Sequence, residues 1–437
     1  MLKRVLFLGL FALLTFMPAA AQDNPPLLLI STSNFKALTT TVSALNVETG
    51  AVEDSFKIDS YFTNVSLSPT GDKLVYYTVT PSNVYLDYSD NVAYYLRDVF
   101  GSTSQEIADH GYMDRDSIPS GGLPSWSSDG TRLVVTTKKN LPGAGMAQFN
   151  LIDTASGETL QSVLTKQPPV SYQLSWSPDD KYLAYFSEEC GHCGIGHVFL
   201  LPATLDTPQH PVFPATEPRH FDESLFGWLP NSREVLVIAN TGNYGAGIFH
   251  WWRVNVDTGS ELPVNMPTRS GGCGMVLLDR KTALVIGFGA DGNSYSGEVM
   301  DFASDGSDFP VLVDARAGGA FNGCRWRLSP DLKQVAFPVS LEDHHYAIRV
   351  FDLFTGEQTA QIETPGQVGQ DTFYNPSLFW TPDEDRLVFE ARLPDADAAQ
   401  IFTVKADGSE APQAVPLIDQ ALLRTNATFI GWVQKPQ

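Results

Sequence analysis

Apolar and polar residues follow one short theme that recurs along the chain. An apolar anchor residue precedes a small residue, a turn rich in Pro, Asp, Asn and Gly, and two or three β-forming residues, as in residues 176–180 (WSPDD) before residues 183–185 (LAY). The six clear anchors are Leu67, Trp126, Trp176, Trp228, Leu328 and Trp380. Repetition at a period of about fifty residues predicts a repeat architecture.

The spacing of the anchors indicates one further unit. Successive anchors are 59, 50, 52, 100 and 52 residues apart, so the interval of 100 spans two units. Midway through it, residues 276–280 (VLLDR) precede residues 283–286 (ALVI) and align without a gap to the Trp228 unit, although its Trp and Pro are absent. A last anchor, Trp432, lies 52 residues beyond Trp380. We therefore predict a seventh complete unit at Val276.

Each unit is predicted to contain four strands. Turns with Pro and Gly between short runs of Val, Tyr, Phe and Leu are typical of β-hairpins. Downstream, a third apolar segment and a second turn precede a fourth strand, as in residues 148–157 and 349–357. Four strands in about fifty residues form the blade of a β-propeller, so the fold class is all-β.

The two chain ends predict how the ring closes. Residues 27–30 match a second strand and residues 42–50 a third strand with its turn, but no first strand precedes them. The strand at Trp432 supplies the missing one, and joining it to the three N-terminal strands leaves no sheet edge open. This prediction gives a single propeller of eight blades. Seven blades is the alternative, if the unit at Val276 is an insertion.

On these motifs the chain resembles the TolB-type, WD-like repeat propellers, whose blades carry a Trp-Ser-Pro-Asp-Gly signature before a Leu-Ala-Phe strand. The resemblance covers nearly all of residues 22–437. Such domains occur in periplasmic envelope proteins, in lyases and as the gating domain of prolyl-oligopeptidase-like peptidases, so the resemblance implies a fold and no single function. Nothing in the chain matches the separate N-terminal domain of TolB, and the partners of TolB are not carried over.

The N-terminal residues predict export. Lys3 and Arg4 precede an apolar run over residues 5–16, and small residues follow up to Ala21. This pattern is a secretory signal peptide, and the run is shorter than the roughly twenty apolar residues that span a bilayer. We expect a signal peptide over residues 1–21, one propeller domain over residues 22–437, no membrane span, and a secreted or periplasmic location.

The charge balance limits the partners. The chain has 28 Lys and Arg against 50 Asp and Glu, a formal net charge of −22. Nucleic acid is therefore a poor partner, because phosphate binding depends on basic residues. We expect a monomer without a cofactor that binds a protein, peptide or glycan.

Four cysteines in an exported protein suggest disulfides. We predict pairing of Cys190 with Cys193, and of Cys273 with Cys324, since the latter two enter the innermost strands of neighbouring blades. The Cys-x-x-Cys spacing of the first pair also occurs in redox motifs, but the helix N-terminus that lowers a thiol pKa is missing here. A metal site with His192 and His197, or free thiols, are the alternatives.

Templates for catalysis find no match in the sequence. The chain lacks the Gly-x-Ser-x-Gly elbow, His-Glu-x-x-His, the Walker phosphate loop and the dinucleotide fingerprint. The adjacent His344 and His345 point to opposite faces of an extended segment, which argues against a shared metal ion. We therefore predict no catalytic residues and no metal site.

One group of residues stands out when the chain is sorted by loop. In a propeller, the connections between blades and those between the second and third strands fall on one face. Five arginines lie in the interblade connections, and a ring of guanidinium groups with aromatic neighbours would suit an anionic ligand. The candidate ligand-binding residues are Arg115, Arg219, His220, Arg269, Arg316, Arg325 and Tyr374. The alternative is that each Arg pairs with a local carboxylate.

Two function classes remain from the sequence. A binding module would present loops on one face to a protein, peptide, glycan or other anionic ligand at the cell envelope. An enzyme, with a lyase or a hydrolase as the leading alternatives, would need His and Arg from different blades converging at the channel mouth. Without a catalytic motif, the sequence favours binding.

Overall fold

The structure is a computed structural model of the 437-residue chain. It describes residues 24–34, 37–60, 64–79, 92–108, 124–141, 144–164, 174–188, 196–206, 210–211, 222–229, 231–240, 249–264, 269–277, 282–288, 295–301, 327–341, 345–368, 378–394, 399–417 and 427–436. Over these ranges the ordered elements are β-strands, and no helix is long and apolar enough to cross a membrane.

The strands alternate with short turns along the whole described chain. The first sixteen are β1 (Leu27–Asn34), β2 (Thr39–Leu45), β3 (Val52–Ile58), β4 (Val65–Leu67), β5 (Lys73–Val79), β6 (Val92–Asp98), β7 (Gln105–Ala108), β8 (Ser125–Trp126), β9 (Arg132–Leu141), β10 (Ala144–Asp153), β11 (Thr159–Leu164), β12 (Ser175–Trp176), β13 (Tyr182–Glu188), β14 (Gly196–Pro202), β15 (His210–Pro211) and β16 (Asp222–Trp228). The others are β17 (Glu234–Asn240), β18 (Phe249–Asn255), β19 (Glu261–Val264), β20 (Arg269–Leu277), β21 (Thr282–Phe288), β22 (Tyr295–Asp301), β23 (Arg327–Leu328), β24 (Gln334–Ser340), β25 (Tyr346–Asp352), β26 (Gln358–Thr364), β27 (Gln367–Val368), β28 (Leu378–Trp380), β29 (Arg386–Arg392), β30 (Ala399–Lys405), β31 (Gln413–Ala414) and β32 (Ala427–Val433).

These strands form antiparallel sheets that follow one another along the chain, numbered here sheet 1 to sheet 8. Sheet 1 has the order β3-β2-β1-β32, and sheets 2 to 5 have four consecutive strands each, from β4–β7 to β16–β19. Sheet 6 contains β20–β22, sheet 7 contains β23–β26, and sheet 8 contains β27–β31. The unit without Trp and Pro at Val276 therefore forms a sheet of its own.

The first strands of neighbouring sheets contact one another. Contacts join β32 with β4, β8 with β12, β12 with β16, β16 with β20, β23 with β28, and β28 with β32. First strands that meet in this way surround a common axis, which is the arrangement of a β-propeller. The predicted all-β propeller is confirmed.

The hydrophobic core lies between the sheets rather than on one side of them. Between sheets 3 and 4, for example, the buried ring of Tyr185 stacks on Phe199 at 5.3 Å and meets Phe149 edge-on at 4.9 Å, measured between ring centroids. Equivalent clusters join sheets 1 and 2, 2 and 3, 4 and 5, 7 and 8, and 8 and 1. Each sheet in these clusters therefore buries apolar side chains against its neighbours.

Sheet 1 joins the two ends of the chain. Leu28 of β1 pairs with Trp432 of β32, and Ser31 pairs with Thr428. Its C-terminal strand packs Phe429, only 1% exposed, against sheet 8. This pairing brings together the C-terminal strand and the three N-terminal strands that the sequence singled out. That all eight sheets close into one ring of eight blades stays a prediction, because the described residues do not include an interface between sheets 6 and 7.

The signature turn between the first two strands of a sheet has a constant backbone shape. The residue four positions after the anchor has a positive φ in six turns: Gly71, Gly130, Asp180, Ser232, Leu332 and Glu384. In one of them, the N–H of Gly130 donates to the carbonyl of Ser127, and the N–H of Ser127 donates to Arg132. This is the hairpin turn that ends in a left-handed residue, which explains why Gly recurs there.

Candidate functional site

In a propeller, two kinds of connection fall on the same face of the ring, called here the turn face. It carries the connections between first and second strands and between third and fourth strands. The opposite face, called the loop face, carries the connections between second and third strands and between sheets. The described residues include most of the turn face.

A buried hydroxyl organises five of the signature turns, and the sheet 5 turn has Leu229 at this position instead. The Ser177 hydroxyl, 1% exposed as a residue, donates to the Asp179 carboxylate at 2.9 Å and accepts from the N–H of Tyr182 at 3.0 Å. Ser68, Ser127, Ser329 and Thr381 occupy the same buried position in other turns. The repeated Ser or Thr after the anchor is therefore a structural residue that fixes the turn.

The turn carboxylates serve the same structure. The Asp129 carboxylate accepts hydrogen bonds from the Ser127 hydroxyl at 2.7 Å and from the N–H of Thr131 at 2.9 Å. These hydrogen bonds hold the pKa of Asp129 below its ordinary value, because they stabilise the charged form. Part of the acidity of the chain is thus used in local turn hydrogen bonds.

Neighbouring turns are also joined to each other. The Asp180 carboxylate accepts from the N–H of Ser128 at 2.9 Å and from its hydroxyl at 2.6 Å, across the boundary between sheets 3 and 4. The Arg132 guanidinium donates to the Asp180 carbonyl at 3.2 Å and lies 5.0 Å from the ring centre of Trp176. Asp180, Arg132 and Trp176 therefore form one contact that joins the two turns.

The anchor Trp residues add a second contact between sheets. The indole N–H of Trp176 donates to the carbonyl of Ser125 in the preceding sheet, and that of Trp228 donates to Ser175. The indole N–H groups of Trp126, Trp380 and Trp432 likewise donate to the Ser66 hydroxyl and to the carbonyls of Arg327 and Trp380. The anchor therefore bonds each of these sheets to its predecessor, which explains why Trp recurs.

The series of turns is interrupted at sheet 1. Here β32 ends at Val433 and β1 begins at Leu27, so no signature turn joins the first strand to the second. Two adjoining cavities of about 720 Å³ and 560 Å³ lie at this place and share Pro26, Pro382, Trp432 and Gln434. We call them together the terminal cleft.

The walls of the terminal cleft come from three sheets. The larger cavity is also lined by Thr70 and Phe100 of sheet 2, and the smaller one by Asp383 and Arg386 of sheet 8. The Arg386 side chain, 29% exposed, lies 3.4 Å from the Glu410 carboxylate, which also contacts Lys405 at 3.5 Å. The Glu410 carboxylate thus contacts two cationic side chains, Arg386 and Lys405, beside the cleft.

The loop-face residues predicted as a ligand site are for the most part outside the described residues. The residues outside the described ranges are Arg115, Arg219, His220, Arg316, Arg325 and Tyr374. Arg269 begins β20, where its backbone pairs with Phe288, rather than lying in a connection. Their assembly into one site stays a prediction.

Three of the cysteines are likewise outside the described residues: Cys190, Cys193 and Cys324. Cys273 lies in β20, the first strand of sheet 6, within a register shift between Arg269 and Gly274. This agrees with its predicted position on an innermost strand. Both disulfides stay predictions, which mass spectrometry of non-reduced peptides would check.

Sequence reasoning missed the terminal cleft. The sequence indicated Trp432 only as a closing anchor and did not single out Arg386. The signal was available in the repeat, since Arg386 lies six residues after its anchor, as Arg132 does. Sheet 1 brings the two chain ends together without a turn, and this opens the space.

Comparisons with known proteins bear on the fold. No protein-family model matches the chain, and no curated protein matches it. The chain is similar to the solved structure of a eukaryotic initiation factor, with 11% identity and a TM-score of 0.55 over 94% of this chain and 91% of that one. The β-propeller domain of the trilobed protease from Pyrococcus furiosus matches with 12% identity and a TM-score of 0.47 over 81% and 98%.

A structure assigned to TolB from Agrobacterium tumefaciens also matches, with 14% identity and a TM-score of 0.29 over 72% of this chain and 84% of that one. The proteins similar in structure thus include β-propellers and a TolB. At these identities the likeness concerns the fold alone. The two matches with TM-scores below 0.5 are not used to infer anything further about this chain. The sequence resemblance to TolB-type propellers gains no support from a family model.

Proposed function

We propose that the protein is an exported β-propeller binding module that presents loop-face residues to an anionic protein, peptide or glycan at the cell envelope. The strand order is the observation that supports this proposal. The segment with Arg115 joins β7 of sheet 2 to β8 of sheet 3, and the segment with Arg219 joins β15 to β16. Connections between successive sheets run on the same face of a propeller, and this topology supports a position of these arginines on one side.

The charge of the chain adds to the argument. Arginines are scarce in a protein of formal charge −22, yet five lie at or near the interblade connections. Positive groups gathered at one end of a channel attract an anion even where the whole molecule is negative, because charges farther away than about 10 Å are screened by salt. The turn-face carboxylates, by contrast, are engaged in turn hydrogen bonds.

The experiment is a binding screen with matched variants. An array of acidic, neutral and basic peptides and of sulfated and neutral glycans is probed with the mature protein, and then with Arg219→Gln and Arg316→Gln. We expect acidic probes to bind and each variant to lose about tenfold in affinity. Arg233→Gln, which removes a turn-face ion pair with Asp257, is the control. Equal binding by all three variants would reject the loop-face site.

The enzyme alternative makes a different prediction in the same screen. A lyase or hydrolase would convert a bound acidic glycan or peptide, which mass spectrometry of the array products detects. Binding that is lost in the arginine variants without any product in the parent protein supports the binding module.

A further inference from the structure

The outer edge of each sheet is a surface to which another strand can be added. Where the structure describes a fourth strand, it lies at the end of its sheet and pairs with a described strand on one side only. Such an edge presents backbone N–H and C=O groups to other chains, and proteins protect it with charged residues, with proline or by keeping the strand short.

Six of the seven fourth strands that the structure describes are protected in these ways. β3 carries charged residues such as Glu53 and Lys57, β26 carries Glu363, and β19 carries Pro263. β7 has four residues, and β15 and β31 have two each. The exception is β11, whose six residues 159–164 (TLQSVL) contain neither a charge nor a proline.

The side chains of β11 are open to solvent. Five of its six residues are exposed, and Val163 is half-buried. Leu160 is 53% exposed and Leu164 is 37% exposed, and both belong to the five large apolar side chains exposed among the described residues. On its inner side the strand pairs with β10, where Phe149 lies opposite Val163. An ordered, uncharged strand with exposed leucines is the kind of edge to which a further strand adds.

We propose that β11 pairs with β11 of a second copy of the chain, in an antiparallel pair centred on Ser162. A strand that pairs with its own copy must be self-complementary, because two-fold symmetry repeats each contact. Centred on Ser162, the pair places Leu160 of each copy opposite Leu164 of the other, and Gln161 opposite Val163. Both leucine pairs then lose contact with water, and the open edges gain backbone hydrogen bonds.

Charge favours a second copy at this edge. Two molecules with a formal charge of −22 repel each other, and an uncharged strand lets them meet without carboxylates across the contact. The flanking charges are complementary in the same register, since Glu158 and Lys166 lie four positions to either side of Ser162 in the sequence. Lys166 itself lies outside the described residues. The dimer differs from the monomer expected from the sequence and is independent of the loop-face ligand.

Sedimentation equilibrium of the mature protein tests the association. A contact through one strand is smaller than a standard interface, so we expect a weak dimer that forms between about 10 and 500 µM. Leu160→Lys should weaken it at least about tenfold, because each dimer loses two leucine pairs. Leu262→Lys is the control, since Leu262 is 46% exposed on β19, beside Pro263. Melting curves show whether each variant keeps the fold.

Double variants test whether the partner is the same strand. Leu160→Lys with Leu164→Glu places Lys opposite Glu twice in the dimer, whereas Leu160→Lys with Leu164→Lys places Lys opposite Lys. The first protein should associate about tenfold more tightly than the second. Net charge alone would favour the second protein, because it is less negative, so the expected order depends on the register.

A cysteine on the two-fold axis locates the contact. In a background without the natural cysteines, Ser162→Cys should form a disulfide-linked dimer, because opposite Cα atoms lie about 4.5–5.5 Å apart. Gln161→Cys is the control and should link far less, since it lies one residue off the axis.

Three outcomes would overturn the proposal. They are the absence of a dimer up to about 500 µM, equal effects of Leu160→Lys and Leu262→Lys, and equal linking of the two cysteine variants. A dimer that is weakened by Leu160→Lys, associates in the Lys and Glu double variant more tightly than in the double Lys variant, and links through Ser162→Cys supports it.

Discussion

At the scale of single residues, the recurring letters of the repeat are explained by hydrogen bonds within and between turns. The Ser after the anchor is buried because its hydroxyl closes the turn, and the Asp two positions later accepts from it. Ser and Asp are also residue types that occur in catalytic sites, but here both hydrogen-bond within the turn. Their geometry assigns them to the scaffold.

The turn hydroxyl should be important for stability. Ser177→Ala leaves the N–H of Tyr182 and the Asp179 carboxylate each without one hydrogen bond in a buried turn. We expect the free energy of unfolding to fall by about 1–3 kcal/mol, measured by urea denaturation. Ser55→Ala, at an exposed position of β3, should change it by less than about 0.5 kcal/mol. Equal effects of the two substitutions would contradict this role.

The turn carboxylates should make stability depend on pH. Hydrogen bonds from Ser127 and Thr131 lower the pKa of Asp129 in the folded state. Its contribution is therefore fully present above the unfolded-state pKa of about 4 and is lost as the pH falls through the lower folded-state pKa. We expect Asp129→Asn to be less stable than the parent at pH 7 and to approach it at a pH of about 2 to 3.

The measurement is the urea midpoint of each protein from acidic to neutral pH. The matched control is Asp59→Asn, whose side chain is 87% exposed outside the turns. A pH profile of Asp129→Asn that runs parallel to the parent profile would show that this carboxylate does not contribute through its charge.

At the scale of elements, the sequence predicted the repeating hairpins well because each one is encoded locally. Sheet 6 was found at Val276 from the spacing and from the alignment of its apolar residues with the Trp228 unit, because these residues remain although the Trp and Pro are absent. The split edge of sheet 8 was not predicted. There β27 and β28 both pair with β29, on the same side of it, and such a division depends on long-range pairing rather than on local pattern.

The register of β1 with β32 can be tested by a covalent link. Ser31 pairs directly with Thr428, and opposite residues of an antiparallel pair have Cα atoms about 4.5–5.5 Å apart, within the range of a disulfide. In a background without the natural cysteines, Ser31→Cys with Thr428→Cys should form an intramolecular disulfide. Non-reducing mass spectrometry detects the linked peptide.

The control pair shifts the register. Ser31→Cys with Phe429→Cys places the second thiol on the opposite face of β32, because successive side chains alternate. It should not link within one molecule. Equal linking of both pairs would mean that the two strands do not keep the register described here.

At the scale of the whole molecule, sheet 1 both joins the chain ends and contributes to the terminal cleft. The sequence predicted which strands pair there. The unit at residues 27–50 lacks a first strand, and the strand at Trp432 is a first strand without the rest of its unit. The sequence did not predict the cleft, because the cleft forms where sheet 1 lacks the turn between its first two strands. An absent turn leaves no motif in the sequence. The loop face, where the sequence placed the ligand, lies largely outside the described residues.

Removal of the closing strand tests this account most directly. A chain that lacks residues 428–437 loses Phe429, Trp432 and Val433 from between sheets 8, 1 and 2 and exposes the edge of β1. A chain that lacks only residues 436–437 keeps all of β32 and is the control. If the ring closes through β32, the longer truncation should lower the melting temperature by many degrees or prevent folding, whereas the control melts as the full chain does. A longer truncation that melts within one or two degrees of the full chain would contradict closure.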